Sequence, residues 1–409
     1  MTIIQEPPVS KPTYDPLNRD VQQNPFPHYA DLRKNHPVIW VDSLQAFVVS
    51  RYKDVHEVLT NKEQFTSENF WDALVGEFNP VPDATWLISV DGPDHLRLRR
   101  LANKAFAPAR FTEMKARIEK IIDGLLADVT REGDTFDFAR EFSWLYPANV
   151  VAEILGVDPA KRGDFKHWVD AFLDAANRER MTAEEYQQCK EATDTMKAYF
   201  EEVIAERRRQ PGSDLISAFI QAEDNGNMLN AREVLANTIL LLTGGVETTS
   251  NLTGSIMTIL GTRLDVYQAV KNNPDLVPQL IEETLRYSSP VQILFRDAIN
   301  DCELHGVKIP AGSRILVLIG SANRDETVFS NPEVFDLYRA KDELDKILSF
   351  GAGVHFCLGA QLARFESTIA LRAVLKKFKH LELLDDQFTW INSYFARGPV
   401  SLPVRYELA

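Results

Sequence analysis

Cysteine is scarce in this chain. There are three in 409 residues, Cys189, Cys302 and Cys357, with no CxxC pair and no Cys/His cluster. So sparse and odd a set argues against a disulfide scaffold and a structural zinc site, and fits a reducing, cytoplasmic setting. Positive charge is also in deficit: 45 Lys and Arg against 59 Asp and Glu leave a net charge of −14. Nucleic acid is therefore disfavoured as a general partner, and any anionic partner must meet a local basic patch. Unbroken hydrophobic runs are missing. The longest apolar stretch, near residues 234–262, is interrupted by Asn237, Glu247 and Asn251, so it reads as a buried helix and not as a membrane span. Met1 to Pro8 holds no basic region followed by an apolar one, so neither a signal peptide nor an anchor is expected. Repeats and low-complexity linkers are absent. What is present, 44% hydrophobic and 25% charged residues, is the composition of a soluble globular protein with a core able to enclose a cofactor.

Along the chain, residues 1–24 are polar and proline-bearing, and an extended arm is expected there. A short helix is expected from Pro25 to Asn35, strands over Val38–Trp40 and Ala46–Val49 with a turn at Asp42-Ser43, and a helix over Tyr52–Leu59. Residues 66–90 show no period but many large apolar groups, among them Phe70, Trp71, Leu74, Phe78, Trp86 and Ile88. Such a segment is either a packed loop or a lid over a pocket. Pro93 opens a helix running to Phe106. His95 and Arg99 share one of its faces, and Arg97, Arg100 and Lys104 lie roughly opposite. Phe111 to Arg208 reads as at least four helical segments, with breaks at Pro147, Gly156, Pro159 and Thr182. Asp174, Arg178, Glu179 and Arg180 are most simply solvated.

A long helix follows. Asn230 with Glu233 forms a capping-box pattern, and Leu229 with Val234 a hydrophobic staple. The body, Val234 to about Leu260, is apolar nearly all round and should cross the core. Its middle carries Gly244 and Gly245, each costing about 1 kcal/mol relative to alanine. Close approach of something flat, or of a substrate, is a reason to accept that cost. Glu247 and Thr248 then bring an acid and a hydroxyl into a dry region.

The chain is organised around Phe350-Gly351-Ala352-Gly353-Val354-His355-Phe356-Cys357-Leu358-Gly359. Gly351 and Gly353 allow backbone conformations closed to other residues and let a flat object lie against the loop. Cys357 sits where a helix begins, among free N–H groups. That setting favours the thiolate, the form that binds metals. The stretch resembles the cysteine-ligand loop of the cytochrome P450 family, the haem-thiolate monooxygenases, and the resemblance extends along the chain. Glu247-Thr248 resembles the family's acid–alcohol pair. Glu283 and Arg286, with Arg339, match its structural Glu-Arg-Arg cluster. Asn323-Arg324-Asp325 and Ile309-Pro310-Ala311-Gly312 also fit the family's wording.

The resemblance implies a mainly α fold with small β-sheets. One domain would span residues 1–409, with haem between the long helix and the cysteine loop. It implies haem b on the Cys357 thiolate, with His95, Arg99, Gly244, Arg296, Phe350, Gly351, His355 and Gly359 around it. It implies a monomer that uses O2 and draws electrons from a ferredoxin and its reductase. Arg97, Arg100 and Lys104 would be the docking face. No flavin or nicotinamide region is left in the sequence, so separate donor proteins are expected. Candidate substrate residues are Phe70, Trp71, Phe78, Trp86 and Ile88 from the irregular segment, and Leu240, Thr243 and Gly244 from the long helix. Val291, Ile293 and Leu294, expected as a strand, and Tyr394 and Phe395 complete the set. The set is apolar and aromatic, so a lipophilic molecule is expected, as in secondary-metabolite tailoring or in hydroxylation or epoxidation of fatty acids and terpenoids. Two alternatives stand beside this: a peroxide-driven haem-thiolate enzyme, and a non-catalytic haem-thiolate sensor.

Overall fold

The structure, a computed structural model, describes residues 14–106, 108–158, 161–175, 178 and 181–409. The fold is mostly helical, 57%, with small sheets. The largest sheet has five strands in the order Val38–Val41, Ala46–Val49, Arg314–Leu318, Ile293–Ala298, Phe65–Thr66. A second joins Phe378–Leu383 and Pro403–Leu408 to Thr135–Asp137.

The long helix runs from Ala231 to Thr262. Both halves of its capping box are formed: Asn230 Oδ1 accepts from the Glu233 N–H at 3.0 Å, and Glu233 Oε2 accepts from the Asn230 N–H at 2.9 Å. The helix packs against Leu145–Ile154, Ala183–Arg209 and Val277–Tyr287, and from Thr249 to Leu260 every residue is buried. That burial answers the apolar periodicity, because a helix hydrophobic on all sides must be surrounded. Gly261 and Gly254 permit close neighbours. A Cβ at Gly261 would lie 2.0 Å from Leu383 Cδ1, and one at Gly254 2.7 Å from Pro399 Cγ.

Several expectations are corrected. Residues 1–13 lie outside the described residues, and the expected extended arm holds a short helix, Arg19–Gln23, capped by Asn18. The hairpin turn expected at Asp42-Ser43 does form, as a 3-10 turn closed by Gln45 in the left-handed region. The strand expected over Val291–Leu294 is displaced to Ile293–Ala298, while Val291 makes an isolated bridge to Ala396. Pro147 does not break a helix but sits in the first turn of Leu145–Ile154, where its missing N–H costs nothing. Pro159, Glu179 and Arg180 lie outside the described residues.

Arg178 is not simply solvated. It donates from Nη1 to Leu74 O at 3.1 Å and lies 3.5 Å from the Glu77 carboxylate. It thereby ties the segment after helix Arg162–Asp174 to the short helix Phe70–Val75.

Candidate functional site

Cys357 is set by its loop. Gly351 and Gly353 have φ of +70° and +69°, a region that strains any residue with a Cβ. The Gly351 N–H reaches Leu348 O at 2.8 Å, and the Cys357 N–H reaches Phe350 O at 2.9 Å. The sulfur opens onto an internal cavity shared with Phe350, Gly351, His355 and Gly359. A Cβ on Gly359 would lie 3.9 Å from it. The expected fall of the thiol pKa is reversed. Burial pushes Cys357 up, and the Gly359 and Ala360 N–H groups and the charges of Arg99 and Arg364 offset only part of that. Desolvation of the anion outweighs the helix end.

Across the cavity stands the middle of the long helix. A Cβ built on Gly244 meets nothing within 4 Å, whereas one on Gly245 would meet Val151 Cγ2 at 3.1 Å. Gly244 therefore faces open space and Gly245 faces protein. The Thr248 hydroxyl donates to Gly244 O at 2.7 Å. Glu247 lines the cavity beside it. Burial, reinforced by the Asp170 charge, pushes its carboxyl up to about 7, while a bond with Asn251 opposes this.

At one rim, buried nitrogen donors converge. Both ring nitrogens of His95 are buried and unpartnered, and burial, with the His355 and Arg99 charges, lowers this imidazole to about 4. Arg296 is 7% exposed and, among the described residues, gives one hydrogen bond, from Nη1 to Phe295 O at 2.8 Å. Burial lowers it to about 10. Arg99, on the same helix face as His95, also lines the cavity, and burial lowers it too. His355 differs. Its ring lies 4.2 Å from that of His95, and its Nε2 is 2.7 Å from Asp91 Oδ1. Burial raises the Asp91 carboxyl, but the bonds from His355, Ser67 and Thr66 outweigh it and hold Asp91 well below the carboxylate range. Buried donors without acceptors are costly. His95, Arg99 and Arg296 therefore fit a flat ligand that carries carboxylates at this edge.

The Glu-Arg-Arg cluster assembles on the cysteine side. Glu283 accepts from Arg286 Nε and Nη2, each at 2.8 Å, and from Arg339 Nε at 2.9 Å. Arg286 also donates to the carbonyls of Asn323, Pro332 and Val334.

Of the expected substrate residues, Phe70, Trp71, Ile88, Leu240, Thr243, Gly244, Val291, Leu294 and Phe395 line the cavity. Four do not. Trp86 supports Trp71 from behind at 4.6 Å, Phe78 packs on Tyr186 at 4.8 Å, and Ile293 and Tyr394 belong to the hydrophobic core. The basic residues expected as a docking face carry ion pairs. Arg97 pairs with the buried capping residue Glu233, Arg100 with Asp224 at 2.8 Å, and Lys104 with Asp224 at 2.9 Å. The acidic hairpin Glu223–Met228 packs on this helix, and the paired Arg100 and Lys104 stay at the surface.

Sequence reasoning missed three site residues. Asp91 precedes a helix, so an N-cap would account for it. Phe172, 5.2 Å from Trp71, hides in a region without a ligand signature. Glu366 lines the cavity at 1% exposure, and burial, against a bond from Thr249, raises it to about 8. Its spacing of four from Leu362 and Ala370, both buried, was the available sign.

The model of the cytochrome P450 family matches residues 16–402. The polyketide biosynthesis cytochrome P450 PksS of Bacillus subtilis is 33% identical over 97% of this chain and 99% of its own length. The structure of cytochrome P450 CYP109Q5 from Chondromyces apiculatus superposes with a TM-score of 0.89 at 35% identity, covering 97% of this chain and 98% of that one. That of CYP109E1 from Bacillus megaterium in complex with testosterone superposes with 0.82 at 34% identity, covering 93% and 99%.

Proposed function

Because this chain belongs to the cytochrome P450 family of haem-thiolate monooxygenases, we propose that it inserts one oxygen atom from O2 into a C–H or C=C bond of a lipophilic small molecule. The observation that carries this reading is the cavity itself. Cys357 lies on one wall, Glu247 and Thr248 on the other, and the lining between them is predominantly apolar. The cofactor we assign is haem b. Cys357 would ligate its iron, His95, Arg99 and Arg296 would hold its carboxylates, and Gly244 and Gly351 would give it room. When bound, it supplies the activation of O2 and the transfer of oxygen.

The protein's own share is position, dryness and protons. Phe70, Trp71, Leu240 and Leu294 exclude water and hold an apolar substrate. Glu247, with its carboxyl near neutrality, can give up a proton and regain it at ordinary pH, which is what a general acid needs. Thr248 Oγ1, one residue on, can receive that proton's hydrogen bond while its own O–H points to Gly244 O. The acid–alcohol pair favours O2-dependent turnover over a peroxide-driven reaction.

Electrons come from a ferredoxin and its reductase. With the charges of Arg97, Arg100 and Lys104 paired within the chain, we assign docking to the surface of the cysteine loop, where Val354 and Phe356 are exposed. A steroid-bound neighbour and a polyketide-pathway relative support a bulky, lipophilic substrate of secondary metabolism.

The test is an optical titration of the ferric protein with steroids, fatty acids, terpenoids and macrolide-like compounds. A blue shift of the Soret band with one class, followed by oxygenated product when ferredoxin and reductase are added, is expected. Normal thiolate–carbon monoxide spectra without O2 consumption under any of these conditions would overturn the reading and favour a sensor.

A further inference from the structure

A second cavity, of about 580 Å³, lies where helix Phe26–Asn35 meets segment 388–397. It shares no lining residue with the chamber that holds Cys357. Phe26 and Ala30 line it on one side, Phe388, Trp390 and Arg397 on the other, and the last turn of the long helix borders it. Its walls are tied together. Arg19 donates to Trp390 O at 2.6 Å and to Ile391 O at 2.9 Å, and Gln23 Oε1 accepts from the Trp390 N–H at 3.0 Å.

The charged residues lining this cavity are Arg324, Arg397 and Glu333. The two cations are served unequally. Arg324 donates from Nε and Nη2 to Tyr287 O at 3.0 and 2.6 Å, and from Nη1 to Glu333 at 2.6 Å. Glu333 is shared further, because Arg33 lies 3.5 Å from it. Arg397 is 5% exposed and reaches two carbonyls from Nη1, Gln22 O at 3.0 Å and Gln23 O at 3.1 Å. Its Nε is buried without a partner, and among the described residues no carboxylate pairs with it. Burial lowers it to about 9. A buried charge without a counter-charge is costly, and one negative charge would balance the cavity.

Rings cover the faces of both guanidinium groups. The Arg397 guanidinium carbon lies 3.7 Å from the Trp390 ring centre, and that of Arg324 lies 3.5 Å from the ring of Phe26 and 3.9 Å from that of Tyr287. An anion must therefore meet Arg397 edge-on, in the plane of the fork that suits a carboxylate. Beside that edge, Phe388 stands 6.1 Å from Trp390 in a T-shaped pair. Both rings are half-buried, so a flat apolar body has a wall to pack on.

We propose that this cavity binds an aromatic monocarboxylate, whose carboxylate accepts from Arg397 Nε and whose ring packs beside Trp390 and Phe388. The site lies outside the chamber of Cys357, so the proposal stands apart from the monooxygenase reading.

The test is calorimetric titration of the haem-loaded full chain with indole-3-acetate as the probe and indole-3-acetamide as its neutral counterpart, with the Soret band recorded on the same solutions. Indole-3-acetate should bind at one site with a dissociation constant of about 1 mM or below and leave the Soret band in place. The amide should bind at least about tenfold more weakly, having lost the charge-assisted bond. Arg397→Gln should weaken the acetate by a similar factor, and Arg397→Lys by less, since it keeps the charge and loses the fork. Arg397→Gln also removes the bonds to Gln22 and Gln23, so Ala30→Trp serves as a second variant. It fills the cavity, leaves every donor in place, and should likewise weaken the acetate at least about tenfold. No heat at millimolar probe, equal affinity for acetate and amide, or full affinity in Ala30→Trp would overturn the site. A saturating Soret shift that persists in Ala30→Trp would place the probe in the chamber and overturn it as well.

Discussion

Replacing Glu283 tests how much stability resides beneath the cysteine loop. Glu283 is fully buried and receives four hydrogen bonds: two from Arg286, one from Arg339, and one at 2.9 Å from the Asp336 N–H. In Glu283→Ala, Arg339 keeps Glu343 at 2.6 Å. Arg286, at 0% exposure, loses its only carboxylate and retains carbonyls alone. Orphaning one partner of a buried pair costs about 3–5 kcal/mol, and the vacated side chain adds a void. Against a total stability of about 5–15 kcal/mol, this is a large loss. With a urea dependence of about 3 kcal/mol per molar or somewhat more for a chain of this size, the midpoint should fall by about 1 M. Glu283→Gln keeps one acceptor oxygen and loses the charge, and its midpoint should lie between the two. Urea titrations followed by tryptophan fluorescence and far-ultraviolet circular dichroism give all three midpoints. A Glu283→Ala midpoint equal to the wild type would refute the assignment of this cluster as a structural anchor.

Thr248→Ala should leave substrate affinity within about twofold and shift most reducing equivalents to free hydrogen peroxide, since the hydroxyl contributes to proton handling more than to ground-state binding. Peroxide released per nicotinamide oxidised is the measure. Gly244→Ala should preserve the helix and favour it by about 1 kcal/mol, because nothing lies within 4 Å of the new methyl. Haem content per chain should fall, and a full complement would contradict the view that this gap is the cofactor's. Glu366 carries a sign that can be worked out. Its folded pKa, about 8, lies above the ordinary 4.5, so ionisation in the folded state is penalised. The penalty is absent below pH 4.5, grows through the window to 8 and is complete above it. Glu366→Gln should therefore be more stable than the wild type at pH 9, with the gain vanishing by pH 4.5, as read from melting midpoints across pH.

Legibility followed how local the determining physics was. The capping box of Asn230 and Glu233, the glycine conformations at Gly351 and Gly353, and the pairing of Glu283 with Arg286 depend on residues within one or two turns, and the structure places them as read. What was not legible depends on remote segments. Thr135–Asp137 is three residues long, too short for an alternation signal, and becomes a strand only against Pro403–Leu408. Arg97, Arg100 and Lys104 look like an unpaired basic face until Glu233 and the hairpin residue Asp224, more than a hundred residues later, pair with them. Trp86 and Phe78 have the right chemistry for a pocket wall and stand one layer behind it. Whether an aromatic residue lines a cavity or supports the one that does is set by packing, which composition cannot reveal.

The clasp between Arg178 and helix Phe70–Val75 bears on which positions of the chamber wall are free to change. Its hydrogen bonds go to main-chain carbonyls, among them Leu74 O and, more weakly, Ala73 O, so the contact does not depend on which side chains that helix presents. Phe70, Trp71 and Leu74 can be exchanged, and the chamber's shape with them, while the clasp stays fastened. Only Gly76 is held fixed, since a Cβ there would lie 2.8 Å from Arg178 Nε. The shape of this chamber wall is thereby separated from the contact that holds its helix in place.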